Sequence, residues 1–224
     1  MDAESALMSG GRDDLGVKVL RVDVNCAEVL RRTRETEITC RIEAGPRREW
    51  RINTGMDFLD HMIEILAFYS GLNIDLEVRS GRRLQHTVAE DAGITLGRAM
   101  RAMALKRIEE HGIMGFGFSQ GMLDEAASEA RISFEGRAGC YIHKNPEIER
   151  FGLVEGIEES FLAAFFQGFS QGMGATIQLE LKRGEDPHHL WESAFRAFGN
   201  ALRMLLSRDE WRRGSIAGVK ETPD

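Results

Sequence analysis

The sequence carries one histidine–glutamate pattern twice. His86 and Glu90 stand four residues apart in HTVAEDAGITLGRAMRAMAL, and His188 and Glu192 stand four apart in HHLWESAFRAFGNALRMLL. The interval between the pairs is constant, since 188 − 86 and 192 − 90 both give 102. Each of these helical segments closes the same series. FLDHMIEILAFYSG, LNIDLEV and RSGRRLQ read as helix, strand and basic loop before the first; ESFLAAFFQGFSQG, ATIQLELK and RGEDP read as helix, strand and polar loop before the second. Any α/β chain alternates helix and strand, but His and Glu recurring together at one offset make an internal duplication the better reading. The predicted class is α+β: duplicated strand–helix halves, each giving antiparallel strands and two helices, with the helices packed as a layer against the sheets.

The boundaries follow from composition. Residues 1–16 are polar and glycine-containing and read as a flexible N-terminal tail. Residues 17–224 then form a single domain of two repeats, about 17–114 and 115–212, with a C-terminal tail. The first repeat opens with the extended runs VKVLRVDV and ETEITCRIEA; GPRRE turns the chain, and EWRINTG returns as a strand. Gly71 reads as a helix C-terminal cap. Phe161, Phe165 and Phe169, spaced at i, i+4 and i+8, read as a core stripe. The glycines of GIMGFGFSQG match no phosphate-loop spacing and read as turn residues.

The formal net charge of −7 argues against a nucleic-acid or anionic-membrane surface, while leaving room for a local basic pocket. Cys26, Cys40 and Cys140 form an odd, scattered set with no C-x-x-C pair, so neither a disulfide framework nor a thiolate zinc site is expected. MDAESALMSGGRDD does not read as a signal peptide, and the apolar run FLAAFF is too short to span a bilayer. The expectation is a soluble, cytoplasmic protein with neither nucleic acid nor membrane as partner.

On a helix, residues i and i+4 share a face, so His86 with Glu90, and His188 with Glu192, can each bind one ion. A lone pair of this kind is usually a solvated salt bridge; two in duplicated positions, with His189 adjacent to one, favour metal. His189 is rotated by about 100° from His188. The two rings are therefore poorly placed to clasp one ion and well placed to serve two different ions, or one ion within the chain and one shared with a neighbour. Pro187 fixes the chain just before the helix. His61, in FLDHM, is a further candidate. Imidazole with carboxylate suits Mn²⁺, Zn²⁺ or Fe²⁺.

TRETEI, TGMDFLDHM, HTVAEDAGITLG and HHLWESAFRAFGNALR, in this order, closely resemble the motifs of the imidazoleglycerol-phosphate dehydratase family. The resemblance runs from about Val22 to Lys220. It implies helices sandwiched between two mainly antiparallel sheets, of the ribosomal protein S5 domain 2-like type, and a large homo-oligomer, a 24-mer in the family. It implies a hydro-lyase of histidine biosynthesis that converts imidazole-glycerol phosphate, a phosphorylated imidazole substrate, to imidazole-acetol phosphate, with two manganese ions at each site between subunits. The proton removed is not flanked by a carbonyl, so the imidazole must accept electron density, and a cation stabilises that charge.

Carried over by residue, the resemblance implies metal ligation by His61, His86, Glu90, His188, His189 and Glu192. It implies substrate and phosphate binding by Arg137, Arg196 and Lys220, and catalytic roles for Glu192 and for Glu35 in TRET. The chain departs from the family pattern at two ligand positions. Thr87 stands where the second histidine of H-H-T-V-E-D falls, and Gln178 stands at the histidine of a T-L-H strand. Gly115 replaces an expected arginine, and the hydroxyls of the family's C-terminal P-S-[ST]-K-G are absent around Lys220. One or two Mn²⁺ per subunit are expected, with a reduced complement. Two readings stay open: a dehydratase working with fewer metal ligands, or a non-catalytic or altered-specificity relative that keeps the oligomer and a reduced metal site.

Overall fold

The computed structural model describes residues 15–81, 84–148, 152–216 and 218. The first half supplies β1 (Gly16–Val22), β2 (Cys26–Arg32), β3 (Thr36–Ala44), β4 (Arg51–Asn53), α1 (Asp57–Ser70), β5 (Leu72–Ser80) and α2 (Gln85–His111). The second supplies β6 (Phe116–Leu123), β7 (Ala126–Ser133), β8 (Gly139–Lys144), β9 (Leu153–Val154), β10 (Ile157–Glu158), α3 (Glu159–Met173), β11 (Thr176–Arg183) and α4 (Pro187–Leu205).

The two main sheets have the same plan. One is ordered β1-β2-β3-β5-β4 and the other β6-β7-β11-β8, so β2-β3-β5-β4 matches β6-β7-β11-β8, with β1 added at one edge. In each, the last pair (β4 with β5, β8 with β11) is parallel and the others are antiparallel. The register matches too. Val29 faces Cys40 on β2 and β3, and Ser119 faces Ala130 on β6 and β7, so both strands repeat at 90 residues (119 − 29 and 130 − 40). Gly71 and Gly174, 103 residues apart, end α1 and α3 in the left-handed conformation that glycine adopts without a Cβ penalty.

The helices lie between the sheets and pair across the halves, α1 with α4 and α2 with α3. The α2–α3 crossing brings backbone against backbone. A Cβ added at Gly93 or Gly97 of α2 would lie within 3.0 Å of the Phe165 or Phe169 carbonyl of α3, and one at Gly168 or Gly172 would strike the Glu90 or Ile94 carbonyl. Phe165, Phe166, Phe169, Trp191, Phe195 and Phe198 fill the space beside it and are fully buried.

Several expectations are revised. Phe165 and Phe169 are core as read, but Phe161 is half-buried at the helix start, its ring 5.9 Å from that of His86. Gly117 and Gly121 are not turn residues. They lie in β6, where a side chain would collide with the backbone of α4 at Ala201 and Ser193. β2, β6, β7, β8, β9 and β10 were not read as strands, and α2 runs six residues past the predicted Leu105, to His111, because Ile108 is still buried. The segment read as an N-terminal tail lies outside the described residues up to Asp14, and Gly16 already begins β1.

Candidate metal centre

The site is built at the start of α4. Asp186 caps the helix, its carboxylate accepting from the backbone N–H of His188 (2.7 Å) and, at longer range, His189 (3.4 Å); Pro187 occupies the first helical position. The two histidines thus emerge from the first turn in different directions. Helical spacing brings Glu192 below His188, and the α1–α4 pairing brings His61 across to both. Nε2 of His61 lies 3.3 Å from Oε2 of Glu192, and Nε2 of His188 lies 3.2 Å from the same oxygen. One ligand atom from each of the three residues lies within 4.8 Å of the others. Glu192 is almost wholly buried, while the two imidazoles are partly open to solvent.

The other oxygen of Glu192 is held by Arg196, whose Nε (3.0 Å) and Nη2 (2.5 Å) both donate to Oε1. Burial pushes the Glu192 carboxyl up, but hydrogen bonding and charge from Arg196, then His188 and His61, hold it below the usual carboxylate range. Nη1 of Arg196 donates to the Met122 carbonyl at 3.0 Å, and the guanidinium lies over the Tyr69 ring. Within the chain, therefore, Arg196 serves Glu192. An i, i+4 pairing with Glu192 was legible in the sequence.

His189 is turned away from this cluster. Its Nδ1 is 2.9 Å from Oε2 of Glu125, in the β6–β7 turn, and its Nε2 is 3.9 Å from Asp124. Glu125 also accepts from the backbone N–H of Asp186 (3.0 Å) and Glu185 (3.1 Å). The Asp186 N–H, then the His189 ring, hold its carboxyl down to about 2. Hydrogen bonding to Glu125 raises His189 above its ordinary value, against burial. Nδ1 of His188 lies 3.2 Å from Oε1 of Glu155, in the β9–β10 turn. Neither Glu125 nor Glu155 was singled out from sequence; a turn glutamate far along the chain carries no signal until the fold brings it to the helix.

The remaining candidates stand apart. His86 and Glu90 occupy the matching first turn of α2, 4.0 Å apart, and among the described residues no third histidine, cysteine or carboxylate joins them. The duplication explains why. The counterpart of His61 at an interval of 103 is the buried Ala164, and that of His189 at an interval of 102 is Thr87. The Phe58–His188 and Phe161–His86 ring pairs (5.1 and 5.9 Å) mark the same relation between the two helix starts. Gln178 lies on the outer face of β11, opposite the buried Ile177 and Leu179, between Arg131 and Tyr141 on the neighbouring strands. Glu35 is exposed in the β2–β3 turn. Arg137 is exposed and donates to Glu135 (2.6 Å). Lys220 lies outside the described residues.

Two imidazole nitrogens and one carboxylate oxygen aimed at a common point make a donor set for a divalent transition cation, with open positions left for a substrate atom. The residues present fit such an ion.

The family model of imidazoleglycerol-phosphate dehydratase matches residues 54–202, a span that holds the whole His61–His188–Glu192 cluster and omits Glu35 and Lys220. Among similar proteins, the imidazoleglycerol-phosphate dehydratase of Aromatoleum aromaticum is 37% identical over 196 residues, covering 87% of this chain and 97% of that protein. The enzyme of that name from Hahella chejuensis is 37% identical over 195 residues, covering 87% and 96%. The crystal structure of IGPD from Pyrococcus furiosus superposes with a TM-score of 0.69 at 30% identity, covering 86% of this chain and 98% of that one. The imidazoleglycerol-phosphate dehydratase structure from Staphylococcus aureus gives 0.69 at 26% identity, covering 82% and 99%. A chain with this cluster, on this duplicated scaffold, matched over nearly its whole length by such relatives, belongs to the imidazoleglycerol-phosphate dehydratase family.

Proposed function

We propose that the protein is a metal-dependent hydro-lyase that dehydrates imidazole-glycerol phosphate to imidazole-acetol phosphate in histidine biosynthesis. The observation that carries this reading is the convergence of His61, His188 and Glu192 on one point, within the span matched by the family. These three residues hold a divalent ion, taken as Mn²⁺. When bound, the ion supplies positive charge against the electron density that the substrate's imidazole gains as its carbon-bound proton leaves.

The chain's own residues divide the remaining work. Arg196 keeps Glu192 ionised and fixes its outer oxygen, leaving Oε2 to the site. Glu192 and Glu35 are the carboxylates assigned to proton movement. Arg137 and Lys220 take the phosphate, and Arg196 is reassigned from that role because its donors are engaged within the chain. His86, Glu90 and His189 serve as ligands completed by residues of neighbouring subunits, in a large cytoplasmic homo-oligomer. No helix among the described residues is long and apolar enough to cross a membrane, which accords with that reading. The repeat boundaries near 114 and 212 belong to the same proposal.

A second reading, a non-catalytic family member that keeps a reduced metal site, draws on Thr87, Gln178 and the isolation of His86 and Glu90. The test is turnover of imidazole-glycerol phosphate with added Mn²⁺ by the wild type and by Glu192→Gln. Turnover above the Glu192→Gln background supports the dehydratase. Its absence, in folded and metal-loaded protein, transfers the assignment to the second reading.

A further inference from the structure

His188 and His189 are neighbours in sequence, yet each Nδ1 is met by its own carboxylate from a different hairpin: Glu155 for His188 at 3.2 Å and Glu125 for His189 at 2.9 Å. An ionised carboxylate only accepts, so each of these contacts is a hydrogen bond only in the tautomer that carries its proton on Nδ1, which leaves the lone pair of the neutral ring on Nε2. For His188 that nitrogen faces Oε2 of Glu192, the point that His61 also reaches, where a lone pair and a carboxylate oxygen are compatible only with a cation between them. A carboxylate behind a ligating imidazole fixes its tautomer and ring plane and raises its basicity.

The backbone supports a dedicated role for Glu155. It sits in the two-residue β9–β10 turn with φ +46°, followed by Gly156 at φ +83°. Asparagine or glycine is the ordinary occupant of such a position, and a longer side chain held left-handed is disfavoured. From that position the Glu155 side chain reaches the His188 ring. The duplication offers a comparison inside the molecule. The 90-residue register relation carries Glu125 onto Glu35 (125 − 35), and the 102-residue relation carries His189 onto Thr87 (189 − 87). The half that has the imidazole has it seated on the turn carboxylate; in the other half, Glu35 stands exposed in the equivalent turn.

We propose that Glu155 and Glu125 are positioning residues, one for each adjacent histidine, each holding the Nδ1–H tautomer so that Nε2 is the nitrogen offered to a cation. The proposal rests on the metal-dependent reading above and adds to it the residues that set ligand orientation.

The test is Mn²⁺ affinity by isothermal titration of the full-length protein, first stripped of metal, for wild type, Glu155→Ala, Glu155→Gln and Glu125→Gln. The glutamine at 125 keeps an acceptor for the N–H groups of Glu185 and Asp186, so that the loop before α4 remains held. The expected result is an affinity about 10–100-fold weaker for Glu155→Ala. Smaller losses are expected for the two glutamine variants, whose amide oxygen still accepts, with melting temperatures of the metal-free proteins unchanged for the Glu155 pair. Turnover by Glu155→Ala should be recovered at high Mn²⁺, which a purely structural defect would not allow. Wild-type binding with all variants within twofold of it overturns the positioning role and leaves the metal-dependent reading standing. A wild type that binds no Mn²⁺ overturns both, and the two failures are told apart by that first titration.

Discussion

Arg196 donates two hydrogen bonds to a single oxygen of Glu192, Oε1, at 3.0 and 2.5 Å, while the other oxygen faces His61 and His188. The carboxylate is thereby divided between a fixed cation within the chain and an open point shared with two imidazoles. Arg196→Ala should therefore lower Mn²⁺ affinity, on the order of 10–100-fold, because Glu192 loses both its orientation and the charge that keeps it ionised. A metal titration checks this. An Arg196→Ala enzyme with unchanged Mn²⁺ affinity and only a raised KM would return Arg196 to phosphate binding.

Metal content should fall short of two tightly bound transition ions per subunit, because Thr87 and Gln178 bring no imidazole. Elemental analysis of protein purified without chelator measures it, and two full equivalents of manganese would contradict the expectation. Thr87→His restores a second adjacent pair on α2 and should raise the bound equivalents.

Asp91 on α2 is buried and takes Arg31 of β2 at 2.7 Å and the hydroxyl of Thr36 at the start of β3. Asp91→Ala leaves a largely buried guanidinium without its partner. We expect a loss of about 3–5 kcal/mol, read by denaturant unfolding. A loss below about 1 kcal/mol would show that Arg31 finds solvent or another acceptor.

The acid limb of stability should depend on Asp75. Burial alone would raise its carboxyl, but hydrogen bonds from Arg48 (2.9 and 2.8 Å), then from the Arg51 N–H, hold it below its ordinary value of 3.8. A depressed folded value means that this contribution is complete above pH 3.8 and is lost as pH falls through the folded value. Melting temperature against pH should accordingly fall less steeply below pH 4 for Asp75→Asn than for the wild type. Parallel curves would mean that Arg48 and Asp75 are as strongly paired in the unfolded chain.

Much of the scaffold was legible because helices announce themselves. The paired His and Glu, the Gly71 cap and the apolar faces of α1, α3 and α4 place three helices within two residues of their observed limits. The β7 strand AASEARIS was not legible. Its residues are small or charged, and Glu129 is buried there among Gln120, Arg131 and Lys182, a setting that only neighbouring strands create. At the site, His61, His188 and Glu192 followed from motif and spacing, whereas Glu125 and Glu155 depend on hairpins folding back onto α4. The reuse of Arg196 as the partner of Glu192 was available from its i, i+4 spacing but competes there with any other use of a surface arginine.

The pairing of α1 with α4 and of α2 with α3 has a consequence for the history of the chain. Neither repeat closes its own interior, because each sends its helices to cover those of the other. A polypeptide of one repeat would leave the Gly93–Gly97 face of α2, or the Gly168–Gly172 face of α3, open until a second copy arrived to meet it. The present molecule is in that sense a dimer joined end to end. Joining freed its halves to diverge: the first carries His61 but has Thr87 beside His86, while the second carries the adjacent His188 and His189 but has Ala164 at the position matching His61.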